Sequence, residues 1–130
     1  MPWCPAVALR LLLVDDDDAI AFAMRRYFTL RGFVVDCAAE LEEAQALLSN
    51  FHYTAVFADL RLTGVHGVEG LDLIGHVRQV SPMTRTLLLT AYSSPELAEE
   101  AAKRGASAVV RKPTALPDLE RLLLSLLETA

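Results

Sequence analysis

The sequence predicts an α/β fold, a doubly wound sheet of five parallel strands accompanied by five helices. Three observations predict it. Short apolar runs alternate with longer amphipathic stretches along the chain. Two of the runs, residues 9–14 and 86–90, are almost continuously apolar, as strands covered on both faces are. Gly, Ser and Pro mark several of the changes from one pattern to the next.

The elements follow in order. Residues 9–14 form the first strand and run into four aspartates, Asp15–Asp18. In residues 19–30, Ile20, Met24, Tyr27 and Phe28 stand at i, i+4, i+7 and i+8, which is one helix face. Asp17 and Asp18 precede this helix and are expected to cap it. Arg31-Gly32 stops it with a basic residue at its end. A second strand, residues 33–37, leads to a helix over 40–50, with Leu41, Ala44, Leu47 and Leu48 on its inner face.

The third strand, 53–58, ends at Asp59, and the helix over 71–80 turns Leu73, Ile74, Val77 and Val80 inward. After the fourth strand, Ser93 and Ser94 before Pro95-Glu96 open a helix over 96–104. Leu97, Ala101 and Ala102 are expected on its inner side, and Arg104-Gly105 closes it. A short strand, 108–110, precedes Lys112-Pro113, and a leucine-rich helix covers 116–127. Residues 1–8 read as a tail and 9–128 as the domain.

Composition narrows the function. The chain has 130 residues, 53% of them apolar and 22% charged, which suits a globular domain and not a disordered one. Its 17 acidic against 12 basic side chains leave a net charge of −5. That balance argues against a sequence-independent grip on nucleic acid and against binding to anionic lipid. No run is long and apolar enough to span a membrane, and the first 13 residues do not read as a signal peptide. Cys4 and Cys37 make neither a disulfide framework nor a zinc site, so free thiols and a cytoplasmic location are expected.

Chemistry collects where a doubly wound sheet binds its ligands, beyond the carboxyl ends of the strands. Strand one runs into Asp15 and Asp16, strand three ends at Asp59, strand four at Thr90, and strand five runs into Lys112. Three converging carboxylates repel one another unless a cation intervenes. A hard divalent ion such as Mg²⁺ suits them, and an adjacent ammonium suits a phosphoryl oxygen. The residues therefore read as a Mg²⁺ and phosphate site. His52, His66 and His76 have no ligand spacing and are expected on the surface or in loops. Gly64, Gly67 and Gly70 do not form a dinucleotide-binding motif.

The chain resembles the receiver domain of two-component response regulators over about residues 9–128. The resemblance rests on Leu-Leu-Val-Asp15-Asp16, Phe-Ala-Asp59-Leu-Arg-Leu, Leu-Leu-Thr90-Ala91 and Arg-Lys112-Pro113, in that order. Forty-three positions separate Asp16 from Asp59, 31 separate Asp59 from Thr90, and 22 separate Thr90 from Lys112. The resemblance implies a flavodoxin-like strand order 2-1-3-4-5. It implies Asp59 as phosphoacceptor, with Mg²⁺ held by Asp15, Asp16, Asp59 and the backbone carbonyl of Arg61. Thr90 and Lys112 would hold the acyl phosphate, and the face formed by helix four, strand five and helix five would switch. The implied donor is a sensor histidine kinase or phosphotransfer protein. An effector domain or downstream protein would receive the signal, and homodimerisation stays open. No direct contact with nucleic acid or membrane is expected. The domain would be a switch that assists its own phosphorylation and dephosphorylation, not an enzyme acting on other substrates.

Several positions depart from the family pattern. Val109 stands where an aromatic residue is usual, and Thr114 where Phe is frequent after Lys-Pro. After Asp59, Thr63, His66 and Gly67 replace the common Pro and Asp-Gly, unless Glu69-Gly70 takes the Asp-Gly role in a loop about three residues longer. The second alignment is preferred, because the helical pattern resumes at Leu71. Arg61 and Tyr92 occupy positions that tune phosphoryl lifetime in the family, and their bulk predicts a long-lived phosphorylated state. Two other functions compete. A phosphorylation-independent scaffold would tolerate Val109 and the unusual loop. A haloacid-dehalogenase-like phosphatase would need an acid two residues after its nucleophile, where Arg61 stands.

Overall fold

The sheet of the computed structural model has the strand order β2-β1-β3-β4-β5, with every neighbouring pair parallel. The structure describes residues 9–59, 69–90, 94–112 and 114–128. The elements are β1 (Arg10–Val14), α1 (Asp18–Leu30), β2 (Val34–Ala38), α2 (Leu41–Asn50), β3 (Ala55–Asp59), α3 (Glu69–Val80), β4 (Arg85–Thr90), α4 (Pro95–Arg104), β5 (Ala108–Arg111) and α5 (Leu116–Glu128). All ten expected elements are present, with most ends moved by one or two residues. The described structure thus has the five-stranded, doubly wound α/β architecture and the strand order that the resemblance implied.

The strands are apolar on both faces because helices cover both faces. Leu12 and Val14 of β1, Val56 and Ala58 of β3 and Leu88 of β4 pack with residues of α2, α3 and α4. Leu11, Leu13, Ala55, Phe57, Leu87 and Leu89 point the other way, against α1 and α5. Successive strand residues face opposite sides, so one continuous apolar run builds two cores. On the α1 side, Phe28 is fully buried, stacks on Phe57 with ring centroids 5.4 Å apart, and meets Phe33 edge-on at 5.5 Å. On the other side Tyr53 is fully buried, and its hydroxyl donates to Asp36 Oδ2 at 2.6 Å. That bond supplies the partner a buried phenol needs.

Local chemistry places the helix ends. Asp17 Oδ1 accepts from the amides of Ala19 and Ile20 at 3.0 and 3.1 Å, and Asp18 is the acidic residue of the first turn. Both therefore serve the helix start. Ser94 accepts from Leu97 N at 3.1 Å, with Pro95 in the first turn of α4. Ser93 lies outside the described residues. Gly105 ends α4 at φ +106°, a left-handed conformation that glycine adopts without steric cost. Arg78 of α3 passes beneath Gly105, and its guanidinium donates to the Lys103 carbonyl at 2.8 Å. Arg104 adds bonds to Glu100 at 2.9 Å and to Asp72 of α3 at 3.1 Å.

Several expectations change. Val80, the last residue of α3, is half exposed. Ala102 is exposed while Ala101 is fully buried, because α4 meets the core along a narrow stripe. Arg31 is the cap residue of α1, so the last turn of that helix holds no basic side chain. His76, expected on the surface or in a loop, is half-buried in α3, and its Nε2 is buried with no hydrogen-bond partner among the described residues.

Candidate functional site

The order of the strands reverses between β1 and β3. The chain leaves β1 through α1 to one side and reaches β3 on the other. A crevice at such a reversal is where open α/β sheets bind ligands. Asp15 follows the last residue of β1, and its amide extends the ladder to the Ala38 carbonyl at 3.0 Å. Asp59 is the last residue of the adjacent β3. The fold therefore delivers the two carboxylates side by side. Asp16 lies in the bend before α1 and is exposed, whereas Asp15 and Asp59 are buried. Carboxylate oxygens of Asp15, Asp16 and Asp59 lie within 4.8 Å of one another.

The basic side of the crevice comes from β5. Lys112 follows that strand, and its amide donates to the Thr90 carbonyl at 2.7 Å, which fixes its backbone against the end of β4. Its Nζ reaches Asp59 Oδ2 at 2.6 Å and stands 3.9 Å from Asp15 Oδ2. Thr90 ends β4, is buried, and lies one register step beyond the Asp59–Leu89 pair. Among the described residues, all those expected at the site therefore collect at one edge of the sheet. The Arg61 carbonyl, Tyr92, Thr63, His66 and Gly67 lie outside the described residues. Glu69 and Gly70 open the first turn of α3, so the helix begins two residues before the expected start. Val109 sits on the edge strand β5, partly buried against the core cluster facing α2, α3 and α4.

The electrostatics of the crevice are unbalanced. Asp15 Oδ1 accepts from the Asp17 amide at 2.9 Å, while Oδ2 is buried and accepts no hydrogen bond from the described residues. Burial pushes the Asp15 carboxyl above its ordinary range, against the lowering effect of the Asp17 amide. Asp59 and Asp16 push it further up, and Lys112 opposes them. An unsatisfied buried carboxylate oxygen beside two further carboxylates is the donor set a hard divalent cation takes. The residues present fit such an ion, which would satisfy the orphaned oxygen and offset the mutual repulsion.

Next to this polar edge lies an apolar groove of about 480 Å³ between α1 and α5. Met24, Leu89, Leu116 and Leu119 line it, with Lys112 and Thr114 at its margin. Sequence reasoning missed it, although the small residue at position 114 was its signal. A further surprise is Glu120 of α5, which is buried and accepts from the Tyr27 hydroxyl at 2.7 Å and from Arg31 Nε at 3.1 Å. These bonds tie α5 to α1.

Comparison with known proteins agrees with the geometry. The family described as the response regulator receiver domain matches residues 11–124. The chain is 32% identical over 114 residues to the regulatory protein AtoC of Escherichia coli, covering 88% of this chain and 24% of AtoC. It is 32% identical over 115 residues to the photosynthetic apparatus regulatory protein RegA of Rhodobacter capsulatus, covering 88% of this chain and 61% of RegA. Among solved structures, a response regulator from Burkholderia pseudomallei with a phosphorylated aspartic acid, calcium ion and citrate superposes with a TM-score of 0.82. That protein is 29% identical, with 93% of this chain and 70% of that one covered. The chain spans only part of the length of these curated relatives, about a quarter in the case of AtoC. With Asp15, Asp59 and Lys112 gathered at the strand ends of a 2-1-3-4-5 sheet and the family match running through nearly all of that sheet, the chain belongs to the response regulator receiver domains of two-component signalling.

Proposed function

We propose that Asp59 of this receiver domain accepts a phosphoryl group from a phosphohistidine on a sensor histidine kinase or phosphotransfer protein. The observation that carries the reading is the contact of Lys112 Nζ with Asp59 Oδ2 at 2.6 Å, inside a cluster of three carboxylates. In the transfer, an Asp59 carboxylate oxygen forms a bond to phosphorus. The bond from phosphorus to the imidazole nitrogen breaks, and its electron pair leaves with the imidazole. The Asp15, Asp16 and Asp59 carboxylates, with the Arg61 carbonyl, would hold Mg²⁺, which when bound offsets the charge on the transferring group. Lys112 moves from an Asp59 oxygen to a phosphoryl oxygen, and the Thr90 hydroxyl donates to another. The protein's contribution is positioning and charge compensation.

The phosphorylated aspartate carries nearly two negative charges and strong acceptor oxygens. Drawing Thr90 and Lys112 toward them pulls on the end of β4 and the turn after β5. The α4–β5–α5 face then changes for an effector domain or downstream protein. Arg61 and Tyr92 stand two positions after Asp59 and after Thr90 in the sequence, where the family resemblance implies that bulk crowds attacking water, so the phosphorylated form would outlast a timescale of seconds. The domain assists both the gain and the loss of its phosphoryl group, and its output is a conformation.

Incubation of the chain with Mg²⁺ and acetyl phosphate tests the reading. The expected result is one phosphoryl group per chain, absent from Asp59→Asn and lost slowly after the donor is removed. Labelling that persists in Asp59→Asn would falsify the site assignment. No labelling of the wild type with Mg²⁺ present would favour a scaffold that works without phosphorylation.

A further inference from the structure

Lys112 follows β5, and Thr114 stands two positions on, shortly before α5 begins at Leu116. On one side the Lys112 amide is fixed to the Thr90 carbonyl at 2.7 Å. On the other side Lys112 and Thr114 border the groove of about 480 Å³ that Met24, Leu89, Leu116 and Leu119 line. An open groove supplies no dispersion contacts to the backbone above it. A large apolar side chain at position 114 would fill the space and wedge the turn from below. This chain has Thr114, whose hydroxyl donates instead to the Arg111 carbonyl and bridges across Lys112. Among the described residues, this is the side-chain hydrogen bond that spans the Lys112 position.

We propose that Thr114 is a positioning residue, and that its hydroxyl on the Arg111 carbonyl places the Lys112 ammonium on the Asp59 carboxylate. The proposal rests on the reading of Asp59 as phosphoacceptor beside a divalent-cation site. Lysine has a flexible four-carbon stem, so its head is only as well placed as its backbone. A displacement of about 1 Å at such a group is enough to matter for phosphoryl transfer.

The geometry makes a prediction of opposite signs. The Lys112 ammonium lies 2.6 Å from Asp59 Oδ2 and 3.9 Å from Asp15 Oδ2, so it competes with a cation for the same oxygens. It also supports the negative oxygens of a phosphoryl group. Displacing it tightens the binding of a cation and weakens the binding of a phosphoryl mimic. General damage to the fold would weaken both.

The test uses the 130-residue chain and two probes, Mg²⁺ alone and beryllofluoride at saturating Mg²⁺. Binding is read from amide chemical shifts and by calorimetry. Thr114→Val keeps the branched shape and removes the donor, and Thr114→Ser keeps the donor. Thr114→Val should bind Mg²⁺ roughly two- to fivefold more tightly, because a nearby positive charge has receded. The same variant should bind beryllofluoride about tenfold more weakly, because a charge-assisted contact is lost. Thr114→Ser should match the wild type in both. Lys112→Ala should show both shifts, and Thr114→Val added to it should change neither further, since the two residues act through one contact. The proposal is overturned if Thr114→Val matches the wild type, weakens both probes, or still shifts either one in the Lys112→Ala background. A wild type that binds neither probe overturns the site reading itself, which is a separate and recognisable failure.

Discussion

Asp15 shows most directly how a single residue is tuned here. Its backbone is held by the β1–β2 ladder and one carboxylate oxygen by the Asp17 amide, so it cannot turn its second oxygen to water. Burial is the chief cause of its raised pKa. Between the ordinary value of 3.8 and the raised folded value, the native state binds more protons than the unfolded chain. Stability therefore falls as pH rises through that window and stays reduced above it. Asp15→Asn keeps an oxygen for the Asp17 amide and removes the charge. Its expected effect at pH 7 without divalent ions is a rise in melting temperature of a few degrees. Added Mg²⁺ is expected to stabilise the wild type and to leave this variant almost unchanged. Thermal melts with chelator and with Mg²⁺ check both statements, and an unchanged or lower melting point without ions would contradict the first.

At the scale of elements, the α1–α5 pair is joined by chemistry of two kinds. Toward the site the two helices flank an apolar groove, and farther along they are tied by Glu120 between Tyr27 and Arg31. The Tyr27 hydrogen bond and then Arg31 hold the Glu120 carboxyl below its ordinary value of 4.5. A lowered folded value means that this contribution is fully present above pH 4.5 and is lost as pH falls through the folded pKa. Glu120→Gln is expected to lower the melting temperature by a few degrees at pH 7 and by much less at pH 3. Melts across that range would show the difference, and a constant gap between variant and wild type would speak against the tie. Sequence could not announce Glu120, because an acid in a leucine-rich amphipathic helix reads as part of the solvated face. Its burial comes from a neighbour 93 positions away. The strand-end residues were legible for the opposite reason. Asp15, Asp59 and Thr90 each follow an unbroken apolar run, Lys112 follows another with one residue between, and a parallel sheet brings such ends together whatever the loops do. Ile20 lies between these cases: its spacing put it on the inner face of α1, yet it is 36% exposed.

For the whole molecule, a cation held by the carboxylate cluster would link folding to ion concentration. The cation site needs the ends of β1 and β3 together, so the unfolded chain does not offer it. Binding to the native state alone stabilises by RT ln(1 + [L]/Kd), about 2.7 kcal/mol at a hundredfold excess over Kd. Urea unfolding followed at rising Mg²⁺ should move its midpoint with the logarithm of concentration once Kd is passed, at constant slope. A midpoint that does not move would show that the cluster holds no ion in the native state. The same linkage holds for any hard divalent ion, and Ca²⁺ is expected to substitute with its own Kd. The fold class was legible at this scale because two cores, one on each side of the sheet, demand strands apolar on both faces. The groove between α1 and α5 was not, because the space left by a short side chain depends on three elements meeting.

The bonds between α3 and α4 have a mechanical consequence. Arg78 holds the Lys103 carbonyl and Asp72 holds Arg104, so α4 is pinned to its neighbour at its carboxyl end. Ser94, at the other end of that 10-residue helix, follows the segment that leads away from Thr90. A displacement that starts at Thr90 and keeps the pins intact is a rotation about the Lys103 end. The helix is then a lever about 15 Å long, and a tilt of roughly 5° moves its free tip by more than 1 Å. Motion delivered through that end is therefore greatest near Ser94 and Pro95 and fades to almost none at Gly105.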